Sequence, residues 1–290
     1  MAQITASLVK ELRDMTGAGM MECKKALTEA EGEIQKAVDV LRTRGLAAAA
    51  KKAGRATNEG LIVALVSDDA KAAALVEVNC ETDFVSRNDV FGAFATKIAQ
   101  AVLDSNPADL EALKATTVGG ETIEALIIEA IHTIGENIQV SRFVRRSVDA
   151  GAIVSYIHGG GRLGILVNFS FSKPETANAE EFKALAKDIA MQVAASAPSA
   201  IARADFSPAT IEHELAIYKA QAAESGKPEE IQEKMAVGRL EKFYKENALV
   251  EQIFIKEPST TVQQVIAATS KSLGDSVEVA GFDRFALGGN

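Results

Sequence analysis

The chain repeats itself, and the repeat limits its fold more than any other feature. Gly60-Leu61-Ile62-Val63-Ala64-Leu65-Val66 resembles Gly151-Ala152-Ile153-Val154-Ser155-Tyr156-Ile157. At the same offset, Ala74-Leu75-Val76-Glu77-Val78 resembles Ile165-Leu166-Val167-Asn168-Phe169. Further on, Gly135, Glu136, Ile138, Val140, Phe143 and Arg145 answer to Gly274, Asp275, Val277, Val279, Phe282 and Arg284. Whatever the first copy folds into, the second must repeat. Each copy opens with two β-type runs; in the first, Ser67-Asp68-Asp69-Ala70-Lys71 is the turn between them. Helices follow, at about Asp89 to Leu103 behind an Asn88 cap and at about Thr122 to Ile134. A closing strand then alternates Ile138, Val140, Arg142, Val144, Arg146, Val148. This pattern predicts antiparallel sheets with helices on one face, an α+β class.

Two stretches lie outside the repeat. The first is N-terminal and reads as three helices. Thr5 can cap a helix carrying Leu8, Val9, Leu12 and Met15 at helical spacing, and Thr16-Gly17-Ala18-Gly19 breaks it. A second runs from about Met20 to Ala30, and a third carries Ile34, Ala37, Val38 and Leu41 and stops at Gly45. So small a unit is marginal alone and should lean on the rest. The other stretch lies in the second copy, where Pro208 to Ala223 and Pro228 to Asn247 read as helices around Ser225-Gly226-Lys227. They predict an antiparallel hairpin with a seam of Ile217 and Ala220 against Ile231 and Met235. The domain plan is therefore an N-terminal unit over 1–46, a helical or flexible linker over 47–57, a first core half over 58–149, and a second over 150–290 with an insertion at about 207–248.

Composition then excludes several functions. With 290 residues, 47% of them hydrophobic, the chain can bury more than one core. Its net charge of -9 argues against nucleic acid, which needs a basic face. The basic stretches Lys51-Lys52 with Arg55, and Arg142, Arg145 and Arg146, read as solvated faces. With no Trp and 5% aromatic residues, base-stacking platforms are scarce. Two distant cysteines, Cys23 and Cys80, suit a reducing cytoplasm better than a disulfide scaffold, and the three His lack metal-ligand spacing. No apolar run reaches the roughly 20 residues of a membrane span, and Met1-Ala2-Gln3-Ile4-Thr5 lacks signal-peptide character. The expectation is a cytoplasmic chain with no cofactor and no metal.

Few constellations could carry chemistry. His158-Gly159-Gly160-Gly161-Arg162 lies between two strands, so it reads as a hairpin turn; a phosphate loop would open a helix. His158 has no companion nucleophile or metal partner and suits contact better than catalysis. Glu77, Glu81 and Asp83 cluster near a strand end, where a cation site or a solvated loop is possible. Cys80 beside them has acids rather than bases as neighbours and reads as a buried structural thiol. Thr82-Asp83-Phe84-Val85 admits two readings. Either Thr82 or Asp83 caps a helix and Phe84 fills the core, or a loop tip presents an aromatic beside a carboxylate as an anchor for a partner. Residue pattern alone favours the first.

Two long motifs tip the balance. Leu12-Arg13-Asp14-Met15-Thr16-Gly17-Ala18-Gly19-Met20-Met21-Glu22-Cys23-Lys24-Lys25-Ala26-Leu27 and Val76-Glu77-Val78-Asn79-Cys80-Glu81-Thr82-Asp83-Phe84-Val85 resemble the two signatures of the elongation factor Ts family. The resemblance extends through Ile134-Gly135-Glu136-Asn137-Ile138, Ser155-Tyr156-Ile157-His158-Gly159 and Ser225-Gly226-Lys227-Pro228. It implies a ubiquitin-associated-like N-terminal domain, a two-part core and a coiled-coil projection. The implied activity is guanine nucleotide exchange on elongation factor Tu, with no reaction catalysed on a substrate of its own. Asp83 and Phe84, flanked by Thr82 and Val85, match the pair that enters the nucleotide-binding domain near its magnesium. Arg13, Met20, Met21 and Lys24 match the N-terminal contact surface, and Ile134, Gly135 and His158 match contacts of the core. The sequence departs from some members in two places. It stops soon after Phe285, where they continue into a helix that also touches the partner, and Lys256 stands where they carry an apolar residue. Two other classes remain to be separated: a binding adaptor built on the N-terminal helices, and an enzyme using His158 with the acidic cluster.

Overall fold

The computed structural model describes residues 4–289; Met1 to Gln3 and Asn290 lie outside the described residues. Thr5 does start the first helix: its hydroxyl accepts from the Leu8 amide at 3.2 Å. Helices α1 (Ala6–Thr16), α2 (Met20–Glu29) and α3 (Ile34–Lys52) close on a small core that includes Leu12, Cys23, Ala26, Leu27, Ala37 and Leu41. Two expectations fail here. Met15, read as inward, is 60% exposed. And α3 does not stop at Gly45 but runs on to Lys52, taking up the first part of the expected linker. Gly45 is a packing position: a β-carbon there would lie 3.4 Å from Ile128 and 3.8 Å from His132. Both belong to the core, so the glycine lets α3 lie close against it. This is the support that so small a unit requires.

The first half of the core runs β1 (Glu59–Val66), β2 (Ala72–Cys80), the single turn α4 (Asp83–Ser86), α5 (Asp89–Ser105), α6 (Leu110–Ala115), the short β3 (Thr117–Val118) and β4 (Glu121–Thr122), α7 (Ile123–Ile134) and β5 (Gln139–Ser147). Its antiparallel sheet has the order β1-β2-β5. The second half runs β6 (Ala152–His158), β7 (Leu163–Ser170), a 3-10 turn (Pro174–Asn178), α8 (Glu180–Ser196), α9 (Pro208–Ala223), α10 (Glu229–Asn247), β8 (Ile253–Phe254), β9 (Glu257–Thr261), α11 (Val262–Leu273) and β10 (Glu278–Ala286). Its sheet repeats the first, in the order β6-β7-β10. The duplication extends to irregularities. One extra residue bulges from each closing strand, Ser141 in β5 and Ala280 in β10.

Each sheet is covered on both faces. Ala74, Val76, Val78 and Cys80 of β2 pack on the side of Phe91, Ile98 and Val102 from α5. The alternate residues Ala73 and Leu75 join Ile62 against Ile153 and Leu166 of the other sheet. The centre is thus helix, sheet, sheet, helix. It explains why β2 and β7 read as continuous apolar runs rather than alternating ones. The sheets approach so closely that a β-carbon on Gly164 would lie 2.4 Å from Ile62 Cγ2 and 2.8 Å from Leu75 Cδ1.

Charged pairs lock the halves together. Arg142 Nε donates to the buried Glu77 at 2.8 Å while its Nη2 donates to the Ala286 carbonyl at 2.8 Å. Arg146 forms a two-pronged pair with Asp283 at 2.9 and 2.7 Å. Arg145 donates to the Leu103 carbonyl in the last turn of α5 at 2.8 Å. Arg142 and Arg145 are therefore half-buried ties rather than a solvated face, because a buried carboxylate and a helix C-terminus meet them, while Arg146 is paired but stays exposed as expected.

The inserted helices form the expected hairpin, with Pro228 just ahead of α10. Its seam differs from expectation. Ala222 and Ala236 are buried and Met235 is half-buried, while Ala220 is exposed and Ile217 and Ile231 are 37% and 43% exposed. The base is fixed by Arg203, which donates to Glu241 at 2.8 and 2.7 Å, pairs with Glu251 and lies 4.5 Å above the Tyr244 ring. Among the described residues, no helix is long and apolar enough to cross a membrane.

Candidate interaction site at one end of the core

The site begins where β2 ends. Cys80 is fully buried there, and burial, reinforced by the nearby Glu136 carboxylate, pushes its thiol up to about 12. It is a structural thiol, as its acidic neighbours suggested. The chain then makes one helical turn. Thr82 is its cap, with Oγ1 accepting from the Val85 amide at 3.4 Å. Asp83 pairs with Arg87 at 3.0 Å. Val85 packs against the first-half core. Phe84, about 100° away around the turn, points out and is 85% exposed. The expectation of a cap is met, but Phe84 fills no core. Phe91, near the start of α5, is instead fully buried in the first-half core.

Such a short turn is unstable alone, because helix nucleation is unfavourable. Its base, however, is held from the side. Glu136 Oε2 accepts from the Glu81 and Thr82 amides, each at 3.0 Å, and its Oε1 accepts from the Thr82 hydroxyl at 2.6 Å. In return Glu81 Oε1 accepts from the Asn137 amide at 2.6 Å, and Arg55 reaches the same oxygen at 3.4 Å. Asn137 Nδ2 donates to the Arg55 carbonyl at 2.8 Å. The three neighbouring carboxylates expected to cluster do not converge: Glu77 turns to Arg142, Glu81 to Asn137 and Asp83 to Arg87. There is no shared cation site among them.

Other residues singled out in the sequence come to the same end. Ile134 is the last residue of α7, and the exposed Gly135 ends that helix immediately before Glu136. The glycine turn after β6 reaches back to the first half. Gly161 accepts from the Ile62 amide at 2.7 Å, and Arg162 pairs with Glu59 at 2.6 Å. Glu59 is opposite Cys80 in the β1–β2 register, which places the turn beside the tip. His158 is exposed at the end of β6, its Nδ1 2.9 Å from the Tyr156 hydroxyl.

The N-terminal unit brings a second exposed surface. Met20 and Met21 are 58% and 64% exposed at the start of α2, with Arg13 and Lys24 also exposed. From the same helix, Glu22 lies 3.0 Å from His132 of α7, half a turn before Ile134. Lys52 of α3 donates to the Ile131 carbonyl at 3.1 Å. Sequence reasoning missed two contributors. Met15 carries only the helical spacing of α1, and Glu136 enters the sequence reading in the repeat and in a matching motif without a role; the pairing of Gly135-Glu136 with Gly274-Asp275 is the signal for it.

Comparison with known proteins bears on this arrangement. A family model described as "Elongation factor TS" matches residues 81–289, which include the tip, the rest of the first core half after β2, and the second half to residue 289. The curated "Elongation factor Ts" of Trichlorobacter lovleyi is 47% identical over 288 residues, covering 98% of this chain and 93% of the relative. That of Desulfovibrio desulfuricans is 47% identical over 289 residues, covering 99% of each. That of Clostridium perfringens is 46% identical over 286 residues, covering 98% of this chain and 93% of the relative. The relatives thus also span the N-terminal three helices and strands β1 and β2, which precede the residues the family model matches.

Proposed function

The chain belongs to the elongation factor Ts family, and from that premise we propose that it binds elongation factor Tu, GDP-bound and nucleotide-free, and exchanges GDP for GTP by disturbing the magnesium and phosphate site. The observation that carries the reading is the tip. A phenylalanine 85% exposed on a turn with a hydrogen-bonded base has no use inside this molecule. It is what an anchor for a partner's pocket requires.

The chemistry follows from how a GTPase holds GDP. Mg²⁺ bridges phosphate and protein oxygens in a strict octahedron, so small displacements of its ligands are costly. Phe84 wedges between helices of the partner, Asp83 perturbs the magnesium shell by hydrogen bonding or repulsion, and Thr82 and Val85 set their direction. With the metal lost, the phosphates are poorly neutralised and GDP leaves. The coupling is reciprocal: if this chain weakens nucleotide binding, nucleotide weakens its binding by the same factor. Incoming GTP therefore releases it. Arg13, Met20, Met21 and Lys24 supply affinity from the N-terminal unit, and Ile134, Gly135 and His158 extend the contact along the core. In this reading the protein is no enzyme and needs no cofactor. It works in the cytoplasm and touches neither nucleic acid nor membrane. Residues 1–46 act as a ubiquitin-associated-like domain joined through 47–57 to the core halves 58–149 and 150–290, and the hairpin is a coiled-coil projection.

The test is release of a fluorescent GDP from elongation factor Tu with Phe84→Ala and Asp83→Ala. Each should lower the maximal rate by about tenfold or more, the worth of one buried anchor. Wild-type rates in both would remove the tip from the mechanism.

A further inference from the structure

We propose that Glu136 is a positioning residue for exchange: its carboxylate latches the base of the tip, so that Phe84 and Asp83 meet the partner already placed. This rests on the exchange reading above. The tip cannot place itself. It is a four-residue turn whose principal side chain is 85% exposed and so makes little contact that could orient it. Its direction is decided at Glu81 and Thr82, and there one carboxylate takes three donors. Oε2 accepts both amides at 3.0 Å, and Oε1 accepts the Thr82 hydroxyl at 2.6 Å. The last bond matters twice. By drawing the hydroxyl proton, Glu136 leaves an Oγ1 lone pair free to accept from Val85, so it also sets the cap that forms the turn. Hydrogen bonds to an ionised acceptor are roughly twice as strong as neutral ones.

The second half carries the same latch without a tip. Asp275, next to Gly274 at the end of α11, accepts from the Ser172 amide (3.1 Å) and hydroxyl (2.6 Å), the Lys173 amide (3.0 Å) and the Thr176 hydroxyl (2.6 Å). The device is therefore common to both halves, while the exposed Phe-Asp pair occurs in one. That makes Asp275 a built-in control: it takes the same kinds of donors where no exposed Phe-Asp pair follows.

The experiment compares Glu136→Gln, Glu136→Ala and Asp275→Asn in two readouts. Gln keeps the shape and one acceptor, so it stays informative if Ala does not fold. In a titration of GDP release from elongation factor Tu, both Glu136 variants should lose about tenfold in maximal rate, the worth of one charge-assisted hydrogen bond. The half-saturating concentration, set by other surfaces, should stay within about twofold. Asp275→Asn should keep the wild-type maximal rate. In the free protein, amide hydrogen exchange at Glu81 and Thr82 should accelerate in the Glu136 variants alone. An unchanged maximal rate in folded Glu136→Gln and Glu136→Ala overturns the proposal. So does an equal loss in Asp275→Asn, or a loss confined to half-saturation. A wild-type chain that leaves GDP release at its spontaneous rate overturns the exchange reading instead. In that case faster amide exchange in the Glu136 variants would still mark the latch as a purely structural tie.

Discussion

A carboxylate that accepts four hydrogen bonds does not titrate like a free one. The Ser172 and Thr176 hydroxyls, and then the Lys173 and Ser172 amides, hold Asp275 well below the usual carboxylate range. The sign is fixed by linkage. A folded value below the unfolded one means that the stabilisation is fully present above about pH 4 and is lost as pH falls through that value towards the folded one. Urea midpoints taken from pH 6 down to pH 2 should therefore drop more steeply for the wild type than for Asp275→Asn. Parallel curves would show that these bonds do not couple to folding. Residue-scale features of this kind were the hardest to read in advance. Residue type alone reads Phe84 as core, but in the structure it is Val85 and Phe91 that join the first-half core. Met15 shares the helical spacing of Leu8 and Leu12, yet in the last turn of α1 it is 60% exposed while Leu12 is buried.

At the scale of elements, periodicity located most helices and strands to within a residue or two, as with α9 at Pro208–Ala223 and β5 at Gln139–Ser147. It erred where a residue had a second meaning. Gly45 reads as a stop, but its real constraint is the Ile128 side chain 3.4 Å from where a β-carbon would lie. That difference is measurable. Gly45→Ala should be neutral or stabilise by up to about 1 kcal/mol, since alanine suits a helix interior and just fits. Gly45→Leu should wedge α3 from α7 and cost about 1–3 kcal/mol, as overpacking does. Chemical denaturation separates them. An alanine variant as damaged as the leucine one would mean that the glycine is needed for its backbone rather than its size. The hairpin seam was misjudged for a related reason. Alanines bring two helices closer than isoleucines do, and Ala222 and Ala236 hold the contact while Ile217 and Ile231 turn out.

Across the whole molecule, the duplication made the two similar sheets legible, but not their union. Nothing in a linear pattern says that Ala73 and Leu75 face Ile153 and Leu166, or that the arginines of β5 reach into the other half. That union gives the tip a rigid mount. Glu77, three residues before Cys80 on β2, is held by Arg142 from β5 and by the Gly288 amide at 3.0 Å from the end of the second half. The tip therefore stands on a frame built from both halves, and the N-terminal surface is docked to the same frame through α3 and α7. If this frame drives nucleotide off its partner and is then released, a trace of the chain, well below stoichiometric amounts, should act on elongation factor Tu loaded with fluorescent GDP in excess unlabelled GTP. Complete release at a rate proportional to the amount of chain added is the outcome expected, because nucleotide entry frees each molecule to act again. Release limited to one partner per chain, or stable binding with release at the spontaneous rate, would contradict it.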